Sequence, residues 1–72
     1  MSKLPVVKPK EVIRVLEKIG FVIVRTKGSH VQLRKGNLLV TVPVHGKDLK
    51  KEVLKSILRQ AKLTVDEFIK LL

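Results

Sequence analysis

Apolar positions recur with a helical period in two long stretches and alternate with polar ones in a third, and the elements follow from that. Val12, Val15, Leu16 and Ile19 fall at i, i+3, i+4 and i+7, one stripe of an amphipathic helix. Pro9 suits its first turn, Glu11 complements its positive end, and Gly20 suits the left-handed position past its last turn. Residues 21–26, Phe-Val-Ile-Val-Arg-Thr, form a continuous β-branched run and predict a strand leaving that glycine directly. Lys27-Gly28-Ser29 turns the chain into a second strand over about residues 30–34, and Lys35-Gly36-Asn37 connects it to a third, from Leu38 to Val42 or Val44. Pro43 lacks an amide donor and belongs at an edge or at a strand end. A second helical stripe comprises Leu54, Ile57, Leu58 and Ala61, with Asp48 as the expected N-cap. Thr64-Val65-Asp66-Glu67 is a capping box that opens a short last helix, with Val65, Phe68, Ile69 and Leu72 expected to face inward. Residues 1–8 carry Pro5 and no periodicity, and read as a flexible arm.

The resulting order is α-β-β-β-α with a short extra helix at the end. This is an α+β domain: a three-stranded antiparallel sheet with helices on one face and the other face open. Strand parity places Val31 and Leu33 with Leu38, Val40 and Val42 under the helices. His30, Gln32 and Arg34 then share the open face with Leu39, Thr41 and, absent a bulge, His45. A row of histidine, glutamine and arginine does not build a buried sheet face. It suits a face that meets a polyanion.

Composition sharpens this. The chain has 72 residues, 44% of them hydrophobic, and no cysteine. That suits one domain, 1–72, stabilised by a core rather than by disulfides or a cysteine-based zinc site. A domain of this size hides only roughly 60% of its unfolded surface. Sixteen Lys and Arg against six Asp and Glu give a net charge of +10. That much self-repulsion in a small body points to a nucleic acid or an acidic protein as partner. With only Phe21 and Phe68 as aromatics, stacking is not the main way of holding bases. No apolar run approaches the roughly 20 residues of a membrane span, and the first ten residues lack a signal-peptide core. The expected location is the cytoplasm, with no membrane partner.

His30 is the leading candidate for chemistry. Histidine can take and return a proton near neutral pH, which Lys and Arg do not do easily. It sits among Lys27, Arg25, Arg34 and Lys35, where a phosphate is attracted. Gly28 serves either a turn with positive φ or the close approach of a phosphate. Ser29 either bonds its own backbone or donates to a phosphate oxygen, and no acid or histidine at recognisable spacing supports it as a nucleophile. Lys51, Lys55, Arg59 and Lys62 form a basic helical stripe that is either a solvated face or a track for a phosphate backbone. Two histidines and scattered carboxylates show no metal-ligand spacing, so neither a metal nor another cofactor is expected.

Lys27-Gly28-Ser29-His30, followed by Val42-Pro43-Val44-His45, resembles the HicA (YcfA-like) toxins of HicAB toxin–antitoxin systems. The similarity runs from about Lys8 to Phe68. It takes in Gly20-Phe21, Asp48-Leu49-Lys50-Lys51 and the run from Leu54 to Ala61. The resemblance implies a double-stranded-RNA-binding-domain-like fold and an mRNA interferase that cleaves RNA without metal and is silenced by a HicB-like antitoxin. The family's catalytic histidine falls on His30, and His45 matches a position that is often histidine. Two departures stand out: Val31 occupies a place where many members have a second histidine, and Glu52-Val53 stands where Gly-Thr is usual.

On this reading His30 takes the proton of a ribose 2′-hydroxyl, which attacks the adjacent phosphorus. His45, Lys27 or His30 itself protonates the leaving 5′-oxygen, and Lys27, Arg34 and Lys35 offset charge on the phosphate. Lys27, Gly28, Ser29, Gln32, Arg34, Lys35, His45, Lys51, Lys55 and Arg59 are the expected RNA contacts. The alternatives are a non-catalytic RNA-binding module on the same fold and a basic domain that binds only protein.

Overall fold

The computed structural model describes residues 3–44 and 46–72. Its elements are α1 (Pro9–Lys18), β1 (Val22–Lys27), β2 (His30–Lys35), β3 (Leu38–Pro43), α2 (Lys51–Ala61) and α3 (Val65–Leu71). The strands form one antiparallel sheet in the order β1-β2-β3. This is the expected α+β architecture with its extra C-terminal helix.

The helix α1 starts where Pro9 costs no hydrogen bond, and the Glu11 carboxylate accepts from the Lys8 amide at 2.9 Å. At its far end Gly20 takes a φ of +107°. The amides of Phe21 and Gly20 donate to the carbonyls of Leu16 and Glu17, the paired bonds of a Schellman motif. This moves the start of β1 one residue past the expected position. The Phe21 amide is committed to the helix end, and its ring is buried in the core.

Both hairpin turns contain two residues. Gly28 and Gly36 each have φ of +57°, whereas Ser29 and Asn37 stay out of the positive-φ region, the pattern of a type II′ turn. A Cβ on Gly28 would meet nothing within 4 Å. The backbone angle rather than crowding therefore calls for glycine there.

Alternation along the strands sorts the sheet as expected. Val31, Leu33, Val40 and Val42 are buried with Val12, Val15 and Leu16 of α1, Leu54, Ile57, Leu58 and Ala61 of α2, and Phe68 of α3. Among the described residues no polar or charged side chain is buried. The polar chemistry of the described residues therefore lies on the surface.

Three local expectations are corrected. Val7, placed in a flexible arm, is buried at 2% exposure, and its carbonyl accepts from the Leu49 amide at 2.9 Å. That same bond keeps Leu49 out of the helix. Asp48 therefore does not cap α2, which begins at Lys51 after an extended Lys50 with no side-chain cap. In α3, Ile69 and Leu72 are exposed, while Leu71 packs partly against the core beside Val65 and Phe68. The helix rests on α1, where the Lys18 ammonium donates to the Leu71 carbonyl at 2.8 Å, and that docking turns residues 65, 68 and 71 inward.

The capping box of α3 forms as expected. The Glu67 amide donates to Thr64 Oγ1 at 3.1 Å and the Thr64 amide donates to Glu67 Oε1 at 3.0 Å. The backbone and hydroxyl of Thr64, with a smaller contribution from Lys70, hold the Glu67 carboxyl below its ordinary value. Folding thus favours the charged form. Its contribution is present above the unfolded-state pKa and is lost as pH falls through the lower folded-state value. Glu67→Gln is expected to lower the melting temperature at about pH 7 and to leave it unchanged at about pH 2, read by circular dichroism melts at both.

Candidate active site

The two-residue Gly28-Ser29 turn sets the register of the first hairpin. Lys27 lies opposite His30 and Arg25 opposite Gln32. On the other side of β2, His30 faces Pro43 and Gln32 faces Thr41. The open face therefore carries two cross-strand rows, Lys27-His30-Pro43 and Arg25-Gln32-Thr41. Arg25, Lys27, Gly28, Ser29, His30, Gln32 and Thr41 line a cleft of about 620 Å³ there. The Val44 amide donates to the Ser29 carbonyl, which ties the turn to the end of β3.

His30 is exposed at the rim of this cleft, and Gln32 and Thr41 are half-buried within it. The cationic wall is Lys27 and Arg25. Arg25 and Thr41 were absent from the contacts expected from the sequence. Their signal was available: two-residue turns that pair residue 27 with 30 and residue 35 with 38 also pair 25 with 32 and 32 with 41.

Several expected contacts do not gather here. Arg34 shares the open face but stands four residues along β2 from His30, roughly 13 Å at ordinary strand rise. Its Nε donates to the Gly36 carbonyl at 3.2 Å. Lys35 has the parity of Leu33 and so leaves the open face. Its stem lies against Gly20, where an added Cβ would come within 3.3 Å of the Lys35 Cε. Lys51, Lys55 and Arg59 are exposed on α2, which packs on the opposite side of the sheet through Leu54, Ile57 and Leu58. His45 lies outside the described residues. Of the expected contacts, the structure brings Lys27, Gly28, Ser29 and Gln32 together with His30.

A family model for the HicA toxin of bacterial toxin–antitoxin systems matches residues 9–63. The chain belongs to the HicA toxins. The match spans α1 to the end of α2 and includes the whole cleft. No curated protein matches the chain. As a HicA toxin it acts as the toxic member of a toxin–antitoxin pair, with a cognate antitoxin as partner. Among the described residues no helix is long and apolar enough to cross a membrane.

The two sequence departures sit away from the cleft. Val31 is buried on the helix side of β2, so a different side chain there would enter the core rather than the cleft. Glu52 is exposed in the first turn of α2, where its carboxylate complements the positive end of the helix. Among the described residues no group of three His, Cys, Asp or Glu side chains is placed to hold a metal ion. Among the described residues, the chemical means at the cleft are the His30 imidazole, the cations of Lys27 and Arg25, the hydroxyls of Ser29 and Thr41, and the Gln32 amide.

Proposed function

We propose that this HicA toxin is a metal-independent endoribonuclease with His30 as its catalytic residue. The observation that carries the proposal is the cleft that sets His30 beside Lys27 and Arg25 on an otherwise open sheet face. Neutral His30 takes the proton of the ribose 2′-hydroxyl, and the freed oxygen attacks the adjacent phosphorus. Lys27 and Arg25 offset the charge that builds on the pentavalent phosphate. The bond to the 5′-oxygen breaks, and that oxygen takes a proton from Lys27 or from the protonated His30. The products are a 2′,3′-cyclic phosphate and a free 5′-hydroxyl. The substrate is mRNA in the cytoplasm, and the antitoxin silences the enzyme by covering the cationic face around His30.

Incubation of the purified protein with single-stranded RNA in EDTA, beside a DNA strand of the same sequence, tests this. The expected result is cleaved RNA with cyclic phosphate ends and intact DNA, because DNA lacks the 2′-hydroxyl. Cleaved DNA would rule out the mechanism. RNA that is shifted on a gel yet remains intact would identify a non-catalytic RNA-binding module. The position of Arg25 adds a sharper expectation. Arg25→Ala should slow cleavage by about a hundredfold, whereas Arg34→Ala at the far end of the strand should change it by less than about threefold.

A further inference from the structure

The run Val22-Ile23-Val24 behaves in a way its composition does not suggest. A continuous apolar stretch ordinarily belongs to a strand buried on both faces. Here every residue of β1 is exposed, with Val22 at 58%, Ile23 at 47% and Val24 at 51%. The cause is the topology. α1 and α2 pack on β3, no helix makes comparable contact with β1, and β1 is an edge of the sheet. A bulge at Val24 pairs Ile23 with Leu33 and Val22 with Arg34, so the apolar side chains spread over both faces of that edge. An exposed apolar edge strand is a template for another strand.

We propose that β1 is the docking edge for the cognate antitoxin, which adds a strand alongside it. This rests on the chain having an antitoxin partner. The side chains of β1 state what that strand must look like. On the open face Lys27, Arg25 and Val22 follow one another along the edge. The added strand therefore presents carboxylates beside Lys27 and Arg25 and an apolar side chain beside Val22, with an apolar residue on its other face against Ile23. Such a strand borders the cleft directly, because Lys27 and Arg25 also line it. Charge argues against a second copy of the toxin at the same edge, since pairing would join two bodies of net charge +10. The β3 edge is a poorer template, because it ends at Pro43, which has no amide to donate.

The test uses the full toxin and the antitoxin that restores growth when the two are co-expressed. Amide hydrogen exchange of β1 is measured in the free toxin and in the complex. Exchange in β1 is expected to slow by more than about tenfold on binding. The double variant Val22→Lys, Val24→Lys is expected to bind the antitoxin about a hundredfold more weakly and to cleave RNA at the wild-type rate. A complex in which β1 exchanges as freely as before, or a double variant that binds as wild type, would overturn the proposal. Protection of β1 in a dimer of the toxin alone would overturn it in favour of self-pairing. Failure of the wild-type toxin to bind any antitoxin would overturn the partnership itself, and that differs from a stable complex with an unprotected edge.

Discussion

Alanine in place of His30 is expected to slow RNA cleavage by about 10³-fold, within the usual worth of a positioned acid–base group. No other imidazole among the described residues stands in the cleft to replace it. Lys27 and Arg25 remain to attract the phosphate, so RNA affinity should change by less than about threefold, because backbone affinity is carried by cations. Stability should hardly move, since His30 is exposed and surface substitutions usually cost within about 0.5 kcal/mol. Single-turnover rates, gel-shift titration and a melting curve on the same preparation separate these effects. A rate loss below about tenfold would remove His30 from the chemistry. A parallel loss of affinity would make it a binding group instead.

The second large effect concerns a residue beyond the segment that the family model matches. Phe68 lies in α3, past the matched residues 9–63, yet it is fully buried at 0% exposure and joins the main core. Phe68→Ala is expected to cost about 3–5 kcal/mol through lost burial and the cavity left behind. A domain of this size has a total stability of only about 4–10 kcal/mol, so the variant should be largely or partly unfolded at 37 °C. Urea unfolding followed by circular dichroism reads the difference. Phe68→Leu keeps most of the volume and should cost less than about 2 kcal/mol. Ile69→Ala, its exposed neighbour, should change stability by less than about 1 kcal/mol. Equal losses at 68 and 69 would show that burial of this one ring is not what α3 contributes.

What was legible in the sequence is what local physics controls. Period and parity are properties of neighbouring residues, so the two helical stripes, the three strands and the burial of Val31, Leu33, Val40 and Val42 follow from spacing alone. The glycine at the end of α1 and the box at Thr64 and Glu67 are also local, because each bond spans a few residues. The same parity placed His30, Gln32 and Arg34 on one face. It did not say how far apart they act, and Arg34 proves to be bound to its own turn at Gly36.

The tertiary structure decided the rest, through contacts between residues distant in sequence. The bond from Leu49 to Val7 starts α2 at Lys51 and pins a segment that looks unstructured by itself. The path of Lys35 over Gly20 removes a cation from the expected site. Above all, the sequence established that Val22, Ile23 and Val24 form a strand and left open what covers it. Only the order of the strands and the docking of α1 and α2 on β3 determine that no described residue does, because burial is a property of neighbours in space rather than of the residue itself.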